Sequence, residues 1–495
     1  MWFLNPDYII RPDAKRYLLS DKLVKTYDSD EVMTFIHPIH AWVLSLFSEG
    51  CKLEDGIRYI SIGLNITEEK AKEFISPWLE NKKQILIKVD GANVIIPKNI
   101  LIHRDRIVDI NNICGFVINK PDRIESVNLA CRRHQVPYLI TLMLTNKCVT
   151  KCSYCYADTK TVVDRLMPLN KIIEIINQAK EIGVHNINVI GGEVFLYPKW
   201  WIVIKELLNH GFNPSLISTK IPITHEIANH IKEIEYNGLI QLSIDSFDGE
   251  YAHKMLGRNW GYISAIKKGI EILEDKQIPY RIETVLTKDN ATKENIDEMI
   301  SYFRSKKYIV LWEIREAMFS HYKSDSNFDE IKASKDTINE ICDYINNIKG
   351  TVTFPIIAAR KEITKTFFSS KEGSSSFVGA GCSALNHHFF ILPDGQCTIC
   401  EQLYWNPYFI IGNVLFDNII SIWNSERVYE LLNISQNNIN IESACHKCSM
   451  FEDCFRIHRN RCWSDIIKAY GNDKWDFPDP RCCHAPQLCY DIEYK

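Results

Sequence analysis

The 495-residue chain lacks any stretch approaching the ~20 uninterrupted apolar residues that a membrane span requires. It also lacks a long run of one charge. Its 58 basic residues are interspersed with 62 acidic ones, for a net charge of −4, so there is no electrostatic footprint for DNA or RNA. The start, MWFLNPDYIIRPDAKRY, shows no basic segment leading into an apolar core and a small-residue cleavage site, the pattern of an exported protein. These absences predict a soluble, cytoplasmic protein with neither membrane nor nucleic acid as a partner. The length exceeds what one hydrophobic core supports, so several domains are expected.

What the chain has is cysteine. Seventeen cysteines without an export signal are poorly explained as disulfides, because a reducing cytosol keeps thiols reduced. Metal ligation is the better expectation, and position supports it. Cys148, Cys152 and Cys155 crowd into LTNKCVTKCSYCYADT, and ten more follow residue 380. Cys51, Cys114, Cys131 and Cys342 are scattered and expected as small buried apolar residues. In CVTKCSYC no fourth cysteine is near. A structural zinc or fully ligated cluster takes four protein ligands, so three thiolates leave one metal position open for another molecule; half of a zinc site is the competing reading.

Patterning divides the chain. In residues 1–110, YIIRP and RYLLS flank a polar turn as a hairpin, HAWVLSLFSEG is a short amphipathic helix, and LEDGIRYISIGL and TEEKAKEFISPWLENK are two more. Thr67 with Lys70 makes an approximate capping box, and QILIKVDGANVIIP turns as a second hairpin at Asp90-Gly91. Hairpin, three helices and wing predict a winged-helix-like module, followed by a linker over 111–135. Over 136–320, six apolar strands (YLITLML, INVI, PSLIST, LIQLSI, YRIETVLT and YIVLWEI) alternate with helices such as LNKIIEIINQAKEI, whose Leu169, Ile172, Ile173, Ile176 and Ala179 fall on one face. The fold class predicted is α/β, a partial (β/α)6 TIM-like barrel with reactive groups at the carboxyl ends of its strands, where Cys148 falls. A bridge over 321–377 leads to residues 378–495, which have few periodic segments and are expected to draw stability from metal.

The CVTKCSYC spacing, with an aromatic residue before the third cysteine and a place after the first barrel strand, resembles the radical S-adenosylmethionine (SAM) superfamily. The resemblance implies that Cys148, Cys152 and Cys155 hold a [4Fe-4S] cluster whose fourth iron takes SAM, the source of a 5′-deoxyadenosyl radical. It also implies cofactor contacts for Tyr154 beside the adenine, Gly191, Gly192 and Glu193 at the methionine ammonium, and Ser243 and Asp245 near the ribose and carboxylate. Arg258 would pair with the carboxylate, a surface salt bridge being the alternative role. GCSALNHHFFILPDGQCTIC, CHKCSMFEDC and IGNVLFDNIISIWNS resemble the SPASM domain, which carries two auxiliary [4Fe-4S] clusters. Cys382, Cys397 or Cys400, and Cys462 are expected at the nearer one. Cys445, Cys448 and Cys454, with one of Cys482, Cys483 or Cys489, are expected at the other. One departure leaves either His458 or Cys462 as a ligand.

The front of the chain is similar in topology to the PqqD-like recognition element that captures the leader of a ribosomally made precursor peptide as an added strand. Together the resemblances imply a radical SAM peptide maturase served by a flavodoxin- or ferredoxin-type donor. The expected product is a cross-link, with a cysteine sulfur-to-carbon thioether favoured. Epimerisation, a carbon–carbon link, sulfatase-type oxidation of Cys or Ser, and a zinc-stabilised peptide-binding protein are the alternatives.

Overall fold

The computed structural model describes residues 1–22, 33–107, 113, 115–320, 322, 328–358, 382–457 and 461–486. The chain divides into two compact units, Met1–Val136 and Pro137–Lys495. His458, Cys489 and Cys114, singled out above, lie outside the described residues.

The first unit runs through strands β1 (Trp2–Leu4), β2 (Tyr8–Asp13), β3 (Arg16–Asp21) and β4 (Met33–Ile36), then helices α1 (Pro38–Ser45), α2 (Leu53–Leu64) and α3 (Glu68–Ile75). Strands β5 (Ile85–Val89), β6 (Ala92–Ile96) and β7 (Leu101–His103) follow. Strands β2, β3 and β4 form an antiparallel sheet, and β5 pairs with β6. The β5–β6 turn falls at Asp90 and Gly91, both with positive φ (50° and 79°), the conformation that matches strand twist in a two-residue hairpin. Thr67 caps α3 by accepting from Lys70 N at 3.3 Å. Strands β1 and β7, which pair antiparallel, carry no alternating signal long enough to read from sequence.

The stretch 111–135, expected as a linker, falls within this first unit, and one buried ion pair explains why its later part is held. Arg16, 1% exposed, donates through Nε to Asp13 Oδ2 at 2.8 Å and through its other nitrogens to the carbonyls of Asn128, Cys131 and Arg133 at 2.6–2.7 Å. Asp13 Oδ1 in turn accepts from Gln135 N and Val136 N. Of the scattered cysteines, Cys51 is buried as expected, Cys342 is half-buried, and Cys131 is exposed, a correction to its expected core place.

The second unit alternates β8 (Leu139–Met143), α4 (Leu169–Ile182), β9 (Asn186–Ile190), α5 (Trp200–Asn209), β10 (Leu216–Thr219), α6 (His225–Glu233) and β11 (Leu239–Ser243). It continues through α7 (Gly249–Leu256), α8 (Trp260–Asp275), β12 (Tyr280–Leu286), α9 (Lys293–Phe303) and β13 (Ile309–Glu316). All six expected strands form. Helix α4 buries Ile172, Ile175, Ile176 and Ala179, with Ile175 taking the place expected for Ile173, and ends at Gly183 with φ +84°.

The strands do not make one sheet. Strands β10 to β13 are parallel in chain order and gain β14 (Ile356–Ile357), from the expected bridge, at their edge. Strands β8 and β9 belong to a second sheet with β15 (His388–Ile391), β16 (Gln396–Thr398) and β17 (Ile410–Asn413), in the order β17-β16-β15-β8-β9. Strand β15 runs parallel to β8, with His388 opposite Leu139 and Ile391 opposite Leu142. The cysteine-rich region is thereby stitched to the first barrel strand by backbone hydrogen bonds.

Candidate metal centres

The CVTKCSYC loop begins where β8 ends. Its entry is zipped to the next barrel loop: Leu144 N donates to Ile190 O at 3.0 Å and Gly192 N to Thr145 O at 2.6 Å. Its middle is tied to the end of α7 through Lys151 N to Leu256 O at 2.8 Å and Ser153 N to Met255 O at 3.0 Å. The Gly191-Gly192 pair is required by close approach. A Cβ on Gly192 would stand 2.3 Å from Lys147 O and 2.7 Å from Asn146 O.

Within the loop Thr150 Oγ1 lies 3.4 Å from Cys148 Sγ and 3.2 Å from Cys152 Sγ, and Cys155 Sγ accepts from Ala157 N at 3.4 Å. Cys152 is buried, Cys155 half-buried and Cys148 open to solvent, yet enough protein surrounds Cys148 for desolvation to push its thiol upward. Hydroxyl and amide donors aimed at sulfur suit thiolates sharing a metal centre.

Glu193, 2% exposed, sits 3.8 Å from Cys148 Sγ through Oε1. Thr219 Oγ1 donates to its Oε2 at 2.6 Å and Lys220 N to its Oε1 at 2.8 Å. Burial raises its carboxyl above the ordinary range against those hydrogen bonds and the Lys220 charge. Asp245, 1% exposed, is the hub of the next strand end. Its Oδ2 accepts from Lys220 Nζ at 2.8 Å and from the Tyr154 hydroxyl, and its Oδ1 from Val285 N at 2.9 Å. Ser243 offers its carbonyl to Lys220 Nζ at 3.0 Å and its hydroxyl to Ser218 at 3.3 Å. Burial would lower the Lys220 ammonium, but Asp245 overrides it and holds the group charged. The Arg258 guanidinium rests 5.5 Å over the Tyr262 ring and pairs with no carboxylate among the described residues, unlike the alternative surface salt bridge.

Lys220 links Glu193, Ser243 and Asp245, and sequence reasoning passed over it. The available signal was position: Thr219-Lys220 closes a barrel strand at the carboxyl end, where such folds place their chemistry. Tyr156 was passed over too. Its ring is 43% open, yet Glu401, burial, Cys155, Glu283 and Cys400 all raise its hydroxyl, in that order. Thiols of the first cysteine loop and of the later region are thus both within its electrostatic reach.

The later thiols fall into two groups. Cys382, Cys400 and Cys462 feel one another's charge, and Cys462 N is anchored to Asp479 Oδ2 at 2.9 Å. Cys445, Cys448, Cys454 and Cys482 form the other group, where Gln436 Nε2 fixes the loop by donating to Cys445 O at 3.0 Å and Cys448 O at 2.8 Å. Cys397 stands apart from both groups. It is fully buried in β16, with its Sγ 3.7 Å from Gly395 O; burial, with Asp394 and Asp417, pushes its thiol up against a hydrogen bond from the Val414 backbone, and no other thiol is among the causes. Its neighbours Thr398 and Ile399 are buried with it, while Cys400, past the end of β16, lies within electrostatic reach of Cys382. Cys483 is exposed beside Cys482.

Among the described residues no three His, Cys, Asp or Glu side chains gather as they would around a single ion. An iron-sulfur cube holds its thiolates farther apart, with inorganic sulfide between the metals. One orphaned group marks where negative charge belongs. Arg461 is 4% exposed, and its Nε and Nη1 have no hydrogen-bond partner among the described residues. Burial pulls its guanidinium down to about 10, while Cys445 and Cys454 pull the other way. Thiolates and sulfides there would supply the missing acceptors, so the residues present fit the group.

Residues 142–303 match the Radical SAM superfamily, and residues 382–449 match the SPASM iron-sulfur cluster-binding domain. The chain carries a radical SAM domain. That domain binds a [4Fe-4S] cluster and SAM, and the SPASM domain binds additional iron-sulfur clusters. The chain is 23% identical over 239 residues to an S-adenosylmethionine-dependent nucleotide dehydratase of Flammeovirga pacifica, covering 46% of this chain and 78% of that one. It is 21% identical over 361 residues to the mycofactocin maturase MftC of Mycolicibacterium smegmatis, covering 71% and 85%. In fold it is similar to SuiB of Streptococcus suis bound to the precursor peptide SuiA, with a TM-score of 0.58 at 15% identity over 98% of this chain and 100% of that one. No helix among the described residues is long and apolar enough to cross a membrane.

Proposed function

We propose that the chain is a radical SAM maturase of a ribosomally made precursor peptide, working in the cytoplasm with a flavodoxin- or ferredoxin-type donor. The observation that carries this is the pairing of two features in one unit: a three-thiol loop at the end of β8, and two later thiol groups on a region joined to that strand through β15. The separate first unit favours a peptide over a nucleotide. The similarity to the nucleotide dehydratase covers less than half of the chain, whereas the fold likeness to SuiB extends over 98% of it. In this reading the β2-β3-β4 sheet of the first unit takes the leader as an added strand.

Cys148, Cys152 and Cys155 hold the cluster that takes SAM. Cys382, Cys400 and Cys462 serve one auxiliary centre, and Cys445, Cys448, Cys454 and Cys482 the other. When bound, the first cluster and SAM supply a carbon radical that takes a hydrogen atom from the substrate. The chain's own part is to bind and orient. Glu193, aligned by Thr219 and Lys220, receives the methionine ammonium. Arg258, held over Tyr262 without a carboxylate partner, receives the methionine carboxylate. Asp245 keeps Tyr154 and Lys220 in place beside the adenosine, with Ser243 and the Gly191-Gly192 backbone completing the wall. The favoured product is a thioether from a cysteine sulfur to a carbon.

Co-expression with the neighbouring precursor peptide, followed by mass spectrometry, tests the reaction. A cross-link removes two hydrogens. An unchanged peptide mass, with chiral analysis showing inverted residues, would replace the cross-link with epimerisation. Anaerobic iron and sulfide analysis tests the centres themselves, and zinc in their place would return the chain to a peptide-binding protein.

A further inference from the structure

Arg461 is a charged side chain taken out of water with two of its three guanidinium nitrogens unpartnered among the described residues. It is 4% exposed, and the two nitrogens are Nε and Nη1. Its guanidinium carbon lies 2.8 Å from the centroid of Phe455, a ring belonging to the small apolar cluster of Ile434, Ile439, Phe451 and Phe455 against which Cys445 and Cys448 pack. An aromatic face covers one side of the planar cation but cannot satisfy the in-plane Nε–H and Nη1–H donors at its edge. A buried unpaired charge costs several kcal/mol, so a fold that keeps one there supplies a counter-charge. The groups within electrostatic reach are, in order of effect, the thiols of Cys445 and Cys454 and the carboxylates of Asp479 and Asp476.

We infer that Arg461 is the hydrogen-bonding counter-cation of the iron-sulfur centre held by Cys445, Cys448, Cys454 and Cys482, donating Nε–H and Nη1–H to its thiolate or sulfide sulfurs. This rests on the reading that those four thiols hold a cluster. Positive charge and N–H donors at the sulfurs favour the reduced, more negative state of such a centre, so Arg461 raises its potential relative to an uncompensated one. It is a positioning residue, acting on the cluster rather than on substrate. The Arg481 guanidinium supplies a contrast within the same region. Its Nε and Nη2 donate to Asp479 and Asp465 at 2.7–3.0 Å, as in a structural ion pair.

The test uses the reconstituted full-length holoprotein and reads potential and spectroscopy. The signal of the reduced centre that disappears in C445A/C448A, with loss of the corresponding iron, identifies this cluster. In R461Q that same signal should keep its iron and shift to a more negative midpoint, with R461K restoring part of the shift. Wild-type protein labelled with 15N-arginine should show a nitrogen hyperfine coupling on that signal, absent from R461K. An unshifted midpoint in an iron-replete R461Q overturns the inference, and so does the lack of any arginine nitrogen coupling in the wild type, a measurement that needs no variant to fold. If C445A/C448A loses no iron, the ligand reading itself fails; if iron is lost but Arg461 leaves no trace on the signal, only the inference about Arg461 fails.

Discussion

Gly192 and Lys220 show how much of the candidate site depends on single atoms. A methyl group at Gly192 would meet two backbone carbonyls of the cysteine loop, at 2.3 and 2.7 Å, and backbone cannot swing aside as a side chain does. G192A should separate the Glu193 loop from the thiols. SAM cleavage is expected to fall by at least about tenfold, a barrier change of ~1.4 kcal/mol, while the iron of the auxiliary centres is retained; cleavage rates with parallel iron counts check both. Lys220 is different in kind. Its ammonium is the countercharge of a carboxylate whose side chain is wholly buried. K220M should leave the buried Asp245 carboxylate without its counter-cation, costing about 3–5 kcal/mol of stability, read as a lowered denaturant midpoint. A change below ~1 kcal/mol would mean that water reaches Asp245 and the hub is looser than described.

At the scale of elements, the join between β15 and β8 has a titratable side chain within it. His388 is buried, and its Nε2 lies 2.8 Å from Thr141 Oγ1 on β8. Burial, reinforced by His387, lowers its pKa from 6.5 to about 3. A depressed folded pKa means that the stability owed to neutral His388 is present above about pH 6.5 and is lost as pH falls toward 3. At pH 5 the loss from this residue is about 2 kcal/mol, at ~1.4 kcal/mol per pH unit. The difference in unfolding free energy between pH 7.5 and pH 5 should therefore be smaller in H388N than in the wild type by about that amount; equal pH dependence in the two proteins would remove His388 from this role. Element identity was largely legible beforehand, because β12 alternates buried and half-open residues along YRIETVL and the helices carry apolar faces. Strand β14, two residues long, and the β15–β8 pairing were not. Both are parallel contacts between distant segments, and neither leaves a local pattern.

Across the whole molecule, the three thiol groups should behave as separate modules of one iron-loaded protein. C148A/C152A/C155A should lose about four iron atoms per chain and all SAM cleavage while keeping the auxiliary iron. C445A/C448A should also lose about four, and should lower the thermal midpoint more than the first replacement does, because the apolar cluster of Ile434, Ile439, Phe451 and Phe455 packs directly against those cysteines. Equal thermal midpoints would show that the metal there is not structural. Iron analysis and calorimetry on the same preparations make the comparison.

The amino-acid order alone determined which residues were available for chemistry. The spacing of Cys148, Cys152 and Cys155, the Gly191-Gly192-Glu193 turn, the six apolar strands and the Asp90-Gly91 hairpin all follow from local rules, in which side-chain type and a few residues of separation decide the geometry. The tertiary structure decided which of those residues meet. It set Cys400 within electrostatic reach of Cys382 and Cys462 and buried Cys397 within β16 in the core. It drew Lys220 from one strand end to Asp245 from the next, and pinned the stretch before Val136 to a hairpin through Arg16. It buried Arg461 with Nε and Nη1 unpartnered among the described residues, within electrostatic reach of Cys445 and Cys454. Such meetings depend on how distant segments pack, and the sum of many weak contacts along a chain cannot be read from any one stretch of it.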